Sequence, residues 1–262
     1  MAIRPGVEFA ELTDVGCQRE QNEDFAGYWE APSDEEFLRQ GRLLVVADGM
    51  GGYEGGQEAS RIAVKTVCEV YEKAGGQDTQ QALVNGLETA HRRIQEYARA
   101  HPSLFGMGTT CTAASLVSGR LRFAHVGDSR LYLVRGDTIS RLTRDHSYVN
   151  HLVESGIIAA GEAEAHPQRH ILTAALGVGS ELTTDSSLEP LPLRSGDVLV
   201  LCTDGLWGLV SDQEICHIVR TRAPADASRE LVVLARERGG PDNITVQVAR
   251  IAGNAAGSQP SH

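Results

Sequence analysis

The chain has few aromatic residues: Phe, Trp and Tyr make up 5% of its 262 residues. Aliphatic side chains must therefore fill whatever core it builds. Cysteine is also sparse. The five present, Cys17, Cys68, Cys111, Cys202 and Cys216, are odd in number and include no CxxC pair. That excludes a disulfide framework and a thiolate zinc site; Cys111 and Cys202 lie in apolar runs and read as small core residues. Long hydrophobic stretches are missing. The long apolar runs, 43–47 and 198–202 among them, are far too short to cross a bilayer. The opening residues MAIRPGVEFAEL contain no apolar segment of the signal-peptide kind, so a cytoplasmic protein is expected, with no membrane partner. Positive charge is in deficit too: the formal net charge is −11. An acidic chain is not drawn to a phosphate backbone, which argues against nucleic acid.

What remains is ordinary for a globular protein: 41% hydrophobic and 23% charged residues. The length suits one sizeable domain. No repeat and no interdomain linker is visible. A single domain is expected over residues 1–252, followed by a small, polar, disordered tail at 253–262. The polar stretch 31–42 reads as a surface connection between two strands.

Residues 43–47 form a continuous apolar, β-branched run that stops at Asp48, which fits a buried strand. The glycines of Asp48-Gly-Met-Gly-Gly52 and Gly55-Gly56 predict a flexible loop. Helical spacing follows at 57–72 (Ala59, Ile62, Ala63, Val67, Val70) and at 79–100 (Leu83, Leu87, Ala90, Ile94, Tyr97). The period then changes. Strands are predicted at 109–117 and 121–126 around a Ser118-Gly119 turn, and at 131–134 and 138–142 around Gly136-Asp137. A further strand at 198–203, helices near 211–222 and 225–238, and a last strand at 243–249 complete the order. Strands, two helices, strands, two helices and a strand do not alternate as βαβ units. They predict an α+β fold: a four-layer α-β-β-α sandwich of two antiparallel sheets flanked by helix pairs.

The informative feature is where acidic residues fall. Asp48, Asp128 and Asp204 each follow a buried run, Asp242 precedes one, and Asp24 lies in Arg19-Glu-Gln-Asn-Glu-Asp24. Buried charge is costly unless paired or metal-bound. Converging carboxylates raise one another's pKa values unless cations neutralise them, and hard oxygen donors suit Mg2+ or Mn2+. One such aspartate alone would read as a turn cap; Asp48, Asp128, Asp204 and Asp242 together make that reading weak.

Seven pieces arrive in order: Arg19-Glu-Gln-Asn-Glu-Asp24, Val46-Ala-Asp-Gly-Met-Gly-Gly52, Gly108-Thr-Thr110, His125-Val-Gly-Asp-Ser-Arg130, Leu142-Thr-Arg-Asp-His-Ser147, Cys202-Thr-Asp-Gly-Leu206 and Asp242-Asn-Ile-Thr245. With these the sequence resembles bacterial PP2C-type (PPM family) metal-dependent serine/threonine protein phosphatases. The resemblance implies hydrolysis of phosphoserine and phosphothreonine by a water activated between two divalent cations, Mn2+ or Mg2+. Asp48 matches the aspartate that bridges both, and Gly49 the glycine whose carbonyl binds one. Asp204 and Asp242 match ligands of the other. Asp128, with Asp204, matches the holder of a third, weaker metal. Glu23 and Asp24 match the first acidic motif, which often reaches the metals through water. Arg19 matches the phosphate-gripping arginine; outside the motif it would read as a surface ion pair with Glu20 or Glu23. The catalytic set implied is Arg19, Asp48, Asp204 and a proton donor.

That donor stays open. Many bacterial members carry histidine after Met-Gly-Gly, and this chain has Tyr53. Tyr53, His170 or a metal-held water could serve, with His170 preferred. Polar surface is the plain reading for His146, His151 and His166, and the better one for the last two. Residues 147–170 resemble the mobile flap of bacterial members. Ala174 is a second departure, because arginine often follows the threonine there. The implied partners are phosphorylated proteins, among them a serine/threonine kinase and its targets, with the chain itself a monomer. A catalytically silent phosphoprotein-binding module of the same fold is the main rival, disfavoured because Arg19 and the aspartates are all present. A two-metal nuclease is disfavoured by the acidity, and a phosphatase of anti-anti-sigma-type regulators by the lack of room for a sensory domain.

Overall fold

Apolar runs without alternation become strands covered on both faces. In the strand Arg42–Met50, Leu43, Val45 and Ala47 join one core while Leu44 and Val46 join another. In Val198–Cys202, Val200 and Cys202 face a third core, and Leu199 and Leu201 turn back to the second. Two such strands, one in each sheet, require layers on both sides of each sheet.

The computed structural model describes residues 4–51, 53–163 and 166–253. In chain order its elements are β1 (Val7–Asp14), β2 (Asp24–Glu30), α1 (Asp34–Gln40), β3 (Arg42–Met50), α2 (Tyr53–Lys73), α3 (Thr79–Ala100), β4 (Gly108–Thr109), β5 (Cys111–Val117), β6 (Arg120–Val126), β7 (Arg130–Arg135) and β8 (Thr138–Arg141). Then follow α4 (Tyr148–Glu154), α5 (Ala160–Ala163), β9 (Asp185–Ser186), β10 (Leu191–Pro192), β11 (Val198–Cys202), α6 (Asp204–Trp207), α7 (Asp212–Thr221), α8 (Pro224–Glu237) and β12 (Ile244–Ile251). One sheet runs β1-β12-β11-β7-β8. The other runs β10-β6-β5-β3-β2, with β4 added to β3 and β9 to β6. All these pairings are antiparallel. Helices α2 and α3 cover the outer face of the second sheet, α7 and α8 that of the first, and the second core, that of Leu44, Val46, Leu199 and Leu201, fills the space between sheets. This is the expected α-β-β-α sandwich. Among the described residues no helix is long and apolar enough to cross a membrane.

Several local expectations change. Stretch 31–42 is not a plain connection: it carries α1, started by a capping box in which Ser33 and Glu36 satisfy each other's backbone amides. The predicted loop at 48–56 shrinks, because β3 continues to Met50 and α2 already begins at Tyr53, taking Gly55 and Gly56 into the helix. Glycine serves there for approach, not flexibility. A Cβ on Gly56 would stand 2.1 Å from Glu23 Oε2, and one on Gly49 would stand 2.1 Å from the Gly56 carbonyl oxygen. Strand 109–117 is interrupted at Thr110, which turns to hold Asp48. The strand implied ahead of residue 31 is β2, and β1 is an addition that the sequence reading does not contain. The expected tail, beyond Gly253, lies outside the described residues, as do residues 164 and 165 of the expected flap.

Candidate active site

Strands β2 and β3 run antiparallel with Asp24 directly opposite Asp48. Like charges in that position destabilise a sheet unless something compensates. Asp128 follows β6, Asp204 opens α6 straight after β11, and Asp242 stands just before β12. Strand direction brings these ends to one edge of the sandwich. The buried apolar runs fix the backbone there and the acids stop them.

Asp48 and Asp128 are anchored through their main chain, Asp24 and Asp242 through their side chains. The Asp48 carbonyl accepts from Thr110 N at 2.9 Å and from the Thr109 hydroxyl at 2.8 Å, and Asp48 N donates to Thr110 Oγ1 at 2.9 Å. Gly49 N donates to the Glu23 carbonyl at 3.2 Å, tying the first acidic motif to β3. The Asp128 carbonyl accepts from Trp207 Nε1 at 2.9 Å. Arg130 stacks over that indole, 3.6 Å from the ring centroid, and grips Asp145 through Nε and Nη2 at 3.1 and 2.7 Å. Asp24, buried, accepts from the Thr203 hydroxyl at 2.9 Å. Arg19 reaches Asp242, Nη2 to Oδ2, at 2.8 Å. Its ion-pair partner is thus Asp242, not the Glu20 or Glu23 of the surface reading, and its guanidinium is half exposed. His170 Nδ1 stands 3.7 Å from Asp204 Oδ2, with the imidazole largely exposed. Arg169 Nε donates to His170 Nε2 at 2.9 Å, so the proton of the neutral ring sits on Nδ1. The side chain of Tyr53 lies outside the described residues.

The electrostatics are those of crowded carboxylates. Burial pushes Asp24 up to about 7, with Asp204 and Asp242 adding to the rise against hydrogen bonds from Thr245 and Thr203. Burial, then the charges of Asp24, Asp204, Asp128 and Asp242, hold Asp48 well above the carboxylate range. Burial and Asp204 do the same for Asp128. Asp242 is raised by burial and Asp204 despite Arg19, and Glu23 by burial despite Arg19. Oδ1 of Asp24 and Oδ1 of Asp204 are buried without a hydrogen-bond partner. Among the described residues no three acidic, histidine or cysteine side chains are drawn into a finished metal cage. Yet the acids raise one another's pKa values, and carboxylates held this near one another need a shared proton or a cation between them. Orphaned oxygens, mutual repulsion and an all-oxygen donor set fit a hard divalent cation such as Mg2+ or Mn2+.

His146 departs from the polar-surface reading. It is buried, and its Nδ1 accepts from Gly127 N at 3.2 Å. His151 is exposed as expected, and His166 is half-buried. Sequence reasoning missed Thr203, Thr245, Trp207 and the Arg130–Asp145 fork. Arg130 and Asp145 both belong to quoted motif pieces, but nothing in their spacing says that they meet.

An acid-lined edge of an α-β-β-α sandwich defines the class, and comparison with known proteins agrees. The Protein phosphatase 2C family model matches residues 22–234, and the chain belongs to that family of metal-dependent phosphatases. It is 37% identical over 250 residues to the protein phosphatase PhpP of Streptococcus pneumoniae, covering 92% of this chain and 96% of that one. The crystal structure of the Mycobacterium tuberculosis serine/threonine phosphatase PstP/Ppp superposes with a TM-score of 0.83 at 34% identity, over 95% of this chain and all (100%) of that one. A structure of the PstP catalytic domain in complex with two manganese ions superposes with a TM-score of 0.80 at 32% identity, over 95% and 99% of the two chains.

Proposed function

We propose that the chain is a serine/threonine protein phosphatase that hydrolyses phosphoserine and phosphothreonine without a phosphoenzyme. The observation that carries this is the set of mutually repelling aspartates at one sandwich edge, two of them with orphaned buried oxygens. Asp48 and the Gly49 carbonyl, with Asp204 and Asp242, would hold two divalent cations. Asp128 with Asp204 would hold a third more weakly, and Glu23 and Asp24 would contribute through water. Bound there, the cations supply a water of lowered pKa as the nucleophile.

The chain's own groups do the rest. Arg19 offers a planar fork to two phosphoryl oxygens, and Asp242 aims that fork across the mouth of the site. His170 holds a proton at Nδ1 beside Asp204 and would pass it to the leaving alkoxide. Buried Thr203 and Thr109 fix the acids so that little reorganisation is needed on reaction. Such an enzyme reverses a serine/threonine kinase, so the kinase and its targets are the natural substrates. We read it as a cytoplasmic monomer with one catalytic domain over 1–252.

The test is hydrolysis of p-nitrophenyl phosphate and a phosphothreonine peptide, with Mn2+ or with EDTA, in the wild type and Asp204→Ala. Activity that requires metal and is lost in the variant supports the proposal. Folded protein that binds phosphopeptide but turns over nothing points to a silent binding module, and metal-independent activity surviving Asp204→Ala moves the site elsewhere.

A further inference from the structure

Strands β1 and β2 are joined by the segment that carries Arg19, and one side chain closes its neck. Asn243 Nδ2 donates to the Val15 carbonyl at 2.9 Å and to the Gln21 carbonyl at 2.9 Å, and Asn243 Oδ1 accepts from Glu23 N at 2.8 Å. Asn243 is buried. Both hydrogens of its amide are used, and the opposite orientation would set its oxygen against two carbonyls and its NH2 against an N–H. Residues on either side of Arg19 are thus drawn to a single buried group.

The segment meets the acidic edge at neighbouring points. Cys17 N donates to the Gly240 carbonyl at 2.7 Å. A Cβ on Gly16 would stand 2.1 Å from the Asp242 carbonyl oxygen, so the two main chains are in contact there. Asp242 takes Arg19 Nη2 on Oδ2 at 2.8 Å and the Asn243 amide on Oδ1 at 2.8 Å. One residue therefore meets the guanidinium, while the next holds the main chain that carries it. A half-exposed arginine side chain loses rotamers when it grips a phosphate. A fixed main chain confines that loss to the side chain, whereas an open loop adds its own ordering.

We propose that Asn243 is the positioning residue for Arg19: by closing the 15–21 loop it sets the place from which the guanidinium reaches a phosphoryl group or free phosphate. The closure needs only the hydrogen bonds above. Its consequence for phosphate rests on the reading of the site as a phosphatase and of Arg19 as its phosphate grip. The peptide bond between Asp242 and Asn243 then keeps one acid of the edge and the phosphate grip in register.

The test has a metal-free arm and a phosphate arm, both on the full chain. Without metal, Asn243→Ala should speed amide hydrogen exchange at 16–21 about tenfold and leave β7 unchanged. With Mn2+, titration calorimetry of inorganic phosphate should show about tenfold weaker binding in Asn243→Ala and in Arg19→Ala, and in the double variant no more than about twofold beyond Arg19→Ala alone. KM for p-nitrophenyl phosphate should rise about tenfold in Asn243→Ala, while kcat falls less. Unchanged exchange at 16–21, or exchange sped equally in β7, overturns the proposal. So do losses that multiply to about a hundredfold in the double variant, and phosphate binding that Arg19→Ala leaves intact. If Asn243→Ala does not fold, Asn243→Asp takes its place: it keeps the size and the acceptor for Glu23 N but turns an oxygen on both carbonyls, and the same outcomes decide. A wild type that neither binds phosphate nor hydrolyses p-nitrophenyl phosphate with Mn2+ sinks the phosphatase reading, while exchange at 16–21 still decides the closure.

Discussion

Strands β2 and β3 carry charge at both ends, and the two ends are built on opposite rules. At one end the register sets Asp24 against Asp48; six residues away it sets Glu30 against Arg42. Arg42 Nε meets Glu30 Oε1 at 2.7 Å with both side chains buried, its Nη2 holds the carbonyls of Arg4 and Pro5, and its guanidinium lies over Phe37. The first sheet repeats the contrast. Asp197, just before β11, is gripped by both arms of Arg135 and by the Arg194 amide, and against its burial these together lower its pKa. Asp204, just after the same strand, keeps a buried oxygen without a partner. One edge of the sandwich neutralises its acids with arginine and is structural. The other leaves them repelling one another, which a fold does where something outside the chain is to complete it.

The contrast can be broken most severely from the acidic edge. Asp48→Asn should cut metal-dependent hydrolysis by about a thousandfold or more, measured on p-nitrophenyl phosphate with Mn2+. In EDTA the same variant should gain about 1–2 kcal/mol in a urea melt, because one of the repelling charges is gone. At the arginine edge the signs reverse. Arg42→Ala strands Glu30 in the interior and should lose about 3 kcal/mol or more, with Mn2+-dependent kcat unchanged well below the melting temperature.

The pH dependence sharpens the comparison at Asp24. Its folded pKa, about 7, lies above the unfolded 3.8, so the folded chain binds the extra proton between those values. Its stabilising effect is complete below about 3.8 and is lost as pH rises through 7. In EDTA the wild type should therefore lose stability relative to Asp24→Asn as pH climbs across that window, and the difference should level off above it. Saturating Mn2+, which favours the ionised acid, should erase the trend. The smallest effect belongs to neither edge. Ser33→Ala removes the α1 cap and should cost about 1 kcal/mol by thermal melt, with no change in Mn2+ activation.

The acidic edge was legible because the sequence marks it twice: an apolar run long enough to be a buried strand, and an aspartate where the run stops. Asp48 and Asp204 carry both marks, and the layer order of the sandwich followed from the same runs. Strand β1 escaped notice because all its residues but Val7 are half-buried or exposed and its apolar alternation is faint. Helix α1 was hidden by its shortness, although Ser33 and Glu36 stood at capping-box spacing. Gly55 and Gly56 misled for a physical reason: the glycines predicted freedom, whereas the fold uses the missing side chain of Gly56 to let α2 approach Glu23 and Gly49, and that of Gly55 to let it approach Met107. His146 was invisible as a buried group because its partners, Gly127 and Thr173, are main-chain atoms.

The most direct measurement is a Mn2+ titration followed by paramagnetic broadening of backbone amide signals. Broadening should appear first at Asp24, Asp48, Gly49, Asp128, Asp204 and Asp242, and should spare Glu30, Arg42, Arg135 and Asp197 at the other edge. Equal broadening at both edges, or none at Asp48 and Asp204, would contradict the proposal that the acids of this edge hold the metal.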